Sequence, residues 1–316
     1  MNPSDTALSP DAGVAVAALD GLGVVEPPAA HDSSADEWFD QRQELGRGYK
    51  YLPRAAQYAL VAARRAMDDA GTVLDRFDEE RRAICVGTNN AASVPQGDID
   101  RTITERGSHV LSPASAPYFS INLVASRVAM EHQLKGFALS LHTPRTAGLE
   151  AIQEGVRAVC GGRADLVFAG AAECPLDSTE TGARAQDGAV LAVLRPVHDA
   201  ARHVIAARSC FLPPNARGAA RNPGLDQAFA ALAASPDDGP TEVTVVGPDS
   251  AVTSFLYDTL AGRPGVKVEV ESIARAGSLE PMRVLARLAN TPSAHRRLVA
   301  ATSEYGNVTF TLLVSR

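Results

Sequence analysis

Phe137-Ala-Leu-Ser-Leu-His-Thr-Pro-Arg-Thr-Ala-Gly-Leu-Glu-Ala-Ile152 decides the fold of this 316-residue chain. Phe137 to Leu141 reads as a strand, and His142-Thr143-Pro144 breaks it, because Pro144 restricts its own backbone and that of Thr143. A helix follows, with apolar residues at Leu149, Ile152, Val156 and Val159 on one face. Cys160-Gly161-Gly162 ends it, and Asp165 to Glu173 is a second apolar strand. Strand, turn, helix and strand in that order predict a parallel pair joined by a crossover helix.

The same alternation extends outward. Tyr49 to Gly71 contains a helix from about Leu52, with Pro53 at its start and Gly71 just past its end. Its alanines at 55, 59, 62, 63 and 66 permit close approach to a sheet. From Arg195 onward the pattern repeats in compressed form. Pro196 to Ala207 reads as a helix-strand edge, Thr241 to Val246 as a strand, Ser254 to Leu260 as a helix, and Val266 to Val270 as a strand. Ser278 to Leu288 is a further helix, and Leu298 to Thr302 with Val308 to Val314 a terminal antiparallel pair. This divides the chain into a disordered N-terminus, residues 1–12, a first half, 13–195, and a shortened second half, 196–316.

The order and motifs resemble the β-ketoacyl synthases of fatty acid and polyketide assembly. In that family the first strand ends in Thr-Ala-Cys-Ala/Ser-Ser-Gly, and Thr143 and Gly148 match it, while the nucleophilic Cys position falls on Arg145. Further matches are the helix ending Asp69-Ala-Gly71, the buried strand Ala83 to Thr88, Ser112 to Asn122 followed by Ala125 to Ala129 as the helix that supports the nucleophile strand, the strand Asp187 to Leu194, and Ser303 to Phe310 as a degraded Gly-Phe-Gly-Gly turn. The resemblance implies an α/β thiolase-like fold, layered αβαβα, built of two pseudo-symmetric halves with the second shortened.

The same resemblance implies lost chemistry. A Cys at a helix N-terminus is nucleophilic because the helix dipole and free backbone N–H groups stabilise its thiolate. An Arg cannot attack a thioester, and its cation at that helix end calls for an anion. Arg145 therefore either projects to solvent from a collapsed turn or fills a pocket and pairs with an anion. The family also uses two later histidines to polarise the thioester carbonyl. The first falls near Pro248 and the second within Val270 to Gly277, and neither region contains a His; beyond His203 the only histidine is His295. His142, in the turn with Thr143, Pro144 and Thr146, reads as a hydrogen-bonded structural residue, and Cys174 as a buried thiol with no His beside it. Gly21-Leu-Gly23 and Gly247-Pro248 lack a full dinucleotide-binding fingerprint.

What the resemblance implies for function is a non-catalytic, ketosynthase-like subunit, similar to the chain length factors of type II polyketide systems, although those carry an amide residue at the Cys position. Its partner would be an intact ketosynthase or a second copy, met through Phe137, Leu139 and Leu141 of the strand before the nucleophile turn, with an acyl carrier protein as a further partner. The alternatives are a repurposed acyltransferase or hydrolase on carrier-bound acyl thioesters, and a scaffold for an acyl carrier protein.

Composition narrows the classes further. Hydrophobic residues make up 45% and charged residues 21%, ordinary globular usage. No apolar run reaches the ~18 residues of a membrane span, and the polar, acidic start is unlike a secretory leader. Four cysteines without metal-ligand spacing read as buried thiols of a reducing compartment, so the expectation is a cytoplasmic chain without metal or cofactor. A net charge of −7 argues against nucleic-acid binding.

Overall fold

The computed structural model describes residues 14–28, 38–71, 74–113, 117–118, 120–174, 187–214, 222–232, 241–272, 277–293 and 295–316. The expected disorder of residues 1–12 and parts of the expected loops lie outside these described residues. Ten strands form one continuous sheet: β1 (Ala17–Val25), β2 (Arg82–Gly87), β3 (Phe137–Leu141), β4 (Leu166–Glu173), β5 (Gly188–Arg195), β6 (His203–Phe211), β7 (Thr241–Gly247), β8 (Val266–Ser272), β9 (Arg296–Thr302) and β10 (Asn307–Ser315). The helices are α1 (Gln41–Leu45), α2 (Arg54–Ala70), α3 (Ser93–Arg106), α4 (Leu123–His132), α5 (Ala147–Cys160), α6 (Pro223–Leu232), α7 (Ala251–Ala261) and α8 (Leu279–Ala289).

Strand order reveals the duplication. The sheet runs β3-β2-β4-β5-β1-β6-β10-β9-β7-β8. Read from each free edge inward, the first five strands and the last five have the same relative order. In both halves the first two pairings from the edge are parallel and the next two antiparallel. The halves join where β1 meets β6, at Ala17, Ala18 and Leu19.

Three apolar clusters separate the five layers. α5 and α8 fill the middle one, with Leu149, Ile152, Met282 and Leu285 buried between the two half-sheets. α2 and α4 cover the outer face of the first half, and α6 and α7 that of the second. The strands serve two cores at once: Ala83 and Cys85 of β2 face the middle cluster, and Ile84 and Val86 the outer one. A strand covered on both faces reads as an unbroken apolar run. Burying a side chain such as Leu149 or Ile152 fully contributes about 1.5–3 kcal/mol, and both have no exposed surface.

The Ala-rich stripe of α2 lies directly on β1. A Cβ at Gly23 would come within 1.8 Å of the Ala62 carbonyl oxygen, and one at Gly21 within 2.2 Å of that of Ala66. These glycines therefore serve helix-on-strand packing. α3 is a helix the sequence pattern did not announce, and it buries no residue. α1 is a second, short one, and the expected helical part of Pro196 to Ala207 is instead a turn leading into β6. Cys85 and Cys174 are buried as expected, with burial pushing both thiols up to about 12, whereas Cys160 is exposed.

Candidate functional site: the elbow between β3 and α5

β3 delivers the chain into a sharp elbow at residues 142–146. Arg145 has φ +64°, one of two positive values at non-glycine residues among those described. That conformation costs roughly 1–2 kcal/mol for a residue with a Cβ, so it persists only because neighbours fix it. Asn89, just after β2, does so directly: its Oδ1 accepts from the Arg145 N–H at 3.0 Å, and its Nδ2 donates to the carbonyls of His142 and Thr143 at 3.2 and 3.3 Å. Glu150, one turn into α5, accepts from the hydroxyls of Thr143 at 2.6 Å and Thr146 at 2.8 Å.

The Arg145 side chain does not project into solvent. It is 14% exposed, and its Nε donates to Glu304 Oε2 at 2.8 Å. Glu304 sits in the turn between β9 and β10. Burial favours the neutral form of Glu304, but the hydrogen bond and charge of Arg145 outweigh it and hold the carboxyl below its usual range. The pair thus ties the elbow of the first half to the last turn of the second.

Glu173, at the end of β4, forms a second tie and was not singled out by sequence reasoning. It is fully buried and accepts from the backbone N–H groups of Asn89, Asn90 and Ser278 at 2.7, 2.8 and 2.9 Å. The hydroxyls of Thr88 at 3.1 Å and Ser278 at 2.9 Å also donate to it. Burial pushes its carboxyl up, and these donors pull it back. Ser278 precedes α8, so one carboxylate holds the β2 turn, the β4 end and the α8 N-terminus together. A buried Glu at the end of an apolar strand is the sequence signal that could have revealed it. Gly148 has its own reason in the same place, since a Cβ there would meet the Ser278 carbonyl oxygen at 2.7 Å where α5 and α8 cross.

Neither region assigned to the family's two histidines contains a histidine. The turn after β7 leads to Ser250, whose hydroxyl accepts from the Thr253 N–H at 3.2 Å. The Thr253 hydroxyl in turn meets that of Thr302 at 2.8 Å, so these hydroxyls satisfy one another. The second region ends at Gly277, with residues 273–276 outside the described set. His142 is half-buried, and burial lowers its pKa against a hydrogen bond with the Thr88 backbone. Its Nε2 bonds no hydroxyl or thiol. Cys174 donates to the Asn90 carbonyl at 3.3 Å. Phe137 and Leu141 pack partly against the middle core, while Leu139 is exposed on the free edge of the sheet.

A strained strand-to-helix elbow at the heart of a duplicated five-layer fold defines a thiolase-like condensing-enzyme scaffold. The profile of the family "β-ketoacyl synthase, N-terminal domain" matches residues 29–198, over half of the chain, and the chain belongs to that family. A 145-residue stretch is 29% identical to 3-oxoacyl-(acyl-carrier-protein) synthase 2 of Rhizobium meliloti, covering 45% of this chain and 33% of that protein. Another 129 residues are 30% identical to the tetracenomycin polyketide synthase ketoacyl synthase alpha subunit of Streptomyces glaucescens, covering 39% and 30%. The matches thus span a third or less of these relatives. Among solved structures, the ishigamide ketosynthase/chain length factor superposes with a TM-score of 0.75 at 16% identity, over 96% of this chain and 100% of that one. A type II polyketide synthase acyl-carrier protein in complex with its ketosynthase gives 0.72 at 15%, with the same coverage. No described helix is long and apolar enough to cross a membrane.

Proposed function

We propose that this chain is a non-catalytic, ketosynthase-like subunit of a type II polyketide or fatty-acid-like system, cytoplasmic, that pairs with an intact ketosynthase and shapes its acyl pocket. The observation that carries the reading is Arg145. It occupies the family's nucleophile position with the elbow still held in its strained conformation, while its side chain is engaged by Glu304. A guanidinium cannot form an acyl-enzyme, and without the covalent step the condensing route is closed. The lack of a histidine in Val245 to Ala251, where the resemblance places the first one, supports the same reading. The free edge of β3 offers the pairing surface: it carries Phe137, Leu139 and Leu141 and no charge, and an apolar unpaired edge is a template for another strand.

Two experiments test this. The purified chain, given malonyl- and acyl-carrier thioesters, should form no condensation product, and Arg145→Cys alone should not restore it because the carbonyl-polarising groups are still missing. Product formed by the wild-type chain alone would reject the reading. In size-exclusion chromatography with light scattering, the chain should elute as a dimer, with itself or with a co-expressed ketosynthase. A stable monomer that ignores ketosynthase would reject the pairing role.

A further inference from the structure

The edge of β3 is too small to hold a stable partner by itself. It has five residues, whereas a standard interface takes roughly 20–30 a side. The connection from β2 to β3 supplies more surface. α3 buries none of its 14 residues, and a Cβ added at Gly97 in its interior would meet nothing within 4 Å. A helix of that length with an interior glycine is marginal in water unless something covers it. It starts shortly after Asn89, which holds the elbow at the end of β3, so it rises beside that edge of the sheet.

Val94, Ile103, Val110, Ile121, Met130 and Leu139 are all exposed along this connection and the strand it leads to, Met130 by 69%. Singly such residues are ordinary, but gathered on one connection and one free edge they mark a surface made to be covered. β3 itself points to what covers it. Set antiparallel to a second β3 about Leu139, it places Phe137 opposite Leu141 and Ala138 opposite Ser140, large against large and small against small, with no charge to repel. The neighbouring charges are complementary in the same way. Arg127 of α4 makes no ion pair among the described residues, and neither do Asp100 and Glu105 of α3. A two-fold contact uses each patch twice, so α3 of one copy meeting α4 of the other answers both sets.

We infer, resting on the pairing role proposed above, that the occupant of this surface for the chain on its own is a second copy. The two β3 strands pair antiparallel, and α3 of each copy lies on α4 of the other. Ile103 then covers Met130 and Ile121 of the second copy, and Asp100 and Glu105 face its Arg127.

Sedimentation equilibrium of the full chain over a dilution series measures the dimer dissociation constant. Ile103→Asp and Met130→Asp should each raise it at least about 30-fold, because each sets a charge against apolar surface. Both side chains are exposed in the single chain, so far-ultraviolet circular dichroism should stay unchanged. Arg127→Glu, and Asp100→Arg with Glu105→Arg, should each weaken the dimer about tenfold, and the three changes together should recover most of that loss. Tyr257→Lys, at an exposed position on α7 of the second half, should leave the constant as it was. A monomeric wild-type chain overturns the second copy as occupant; if that chain also ignores a ketosynthase, the pairing role falls with it. A wild-type dimer that persists in Ile103→Asp and Met130→Asp, a triple variant no tighter than its parents, or equal weakening by Tyr257→Lys would overturn the contact between α3 and α4 while the pairing role stands.

Discussion

The two halves share a strand order and differ in what they present at their outer edges. β3 is Phe-Ala-Leu-Ser-Leu and carries no charge, whereas β8 is Val-Lys-Val-Glu-Val-Glu-Ser. Behind them, the 14-residue α5 packs on β2, β3 and β4, while the 11-residue α8 packs mainly on β4, β5 and β9. The inner face of β7 and β8 at Glu242, Thr244, Lys267 and Glu269 is left to polar side chains, with Val246 reaching the middle core, and that of β2 and β3 is closed by apolar ones. Alternating charges on an edge strand blunt it against pairing with another chain. The comparison teaches that backbone topology here is symmetric, while the choice of which edge stays available rests on a handful of side chains.

The largest expected effect is at the crossing of the halves. Gly148→Val places branched carbon against the Ser278 carbonyl and Met282, and such overpacking costs roughly 3 kcal/mol or more; urea unfolding should show it, and an unchanged midpoint would mean that α5 and α8 do not touch there. Next comes a swap of edges. Phe137→Lys with Leu139→Glu gives β3 the character of β8, and association should weaken ~100-fold, because unpaired charge would be buried at the interface. The reverse change, Lys267→Phe with Glu269→Leu, should add self-association at β8. Light scattering reads both, and a β3 variant that stays dimeric would move the interface elsewhere.

Smaller effects separate the elbow's strain from its ion pair. Arg145→Gly and Arg145→Ala both lose Glu304, but only glycine is at ease at φ +64°. Arg145→Gly should therefore be about 1 kcal/mol more stable than Arg145→Ala, and equal melting curves would deny the strain. The smallest effect is with pH. Because Arg145 holds the Glu304 carboxyl below its usual range, the pair's contribution is complete at neutral pH, above the unfolded-state value. It is lost as pH falls through the lowered folded-state value. With Glu304 partly exposed, the contribution is only about 0.5–1 kcal/mol after screening. Glu304→Gln should flatten the stability profile below about pH 4 relative to wild type, and parallel profiles would remove the pair from the account.

The sequence by itself determined the elements that depend on local pattern. The apolar spacing of α5, Gly71 closing α2, the unbroken apolar strands β2, β4 and β5, and the Arg in the elbow of a β-ketoacyl synthase-like motif were all legible, because periodicity and turn chemistry act over a few residues. It missed α3, which buries no residue and whose few apolar positions, Val94, Ile99 and Ile103, stand beside Pro95 and Gly97 and give only a weak period. Only the tertiary structure decided which anion answers Arg145. Glu304 lies 159 residues away in sequence, and no local rule distinguishes it from the other carboxylates. The same holds for Glu173, whose five donors come from two distant segments, residues 88–90 and Ser278, and for the row Lys267–Glu242–Arg297, each member an ordinary charge in its own strand. Such groupings arise from strand register across crossovers, and register is set by how the two half-sheets close around α5 and α8.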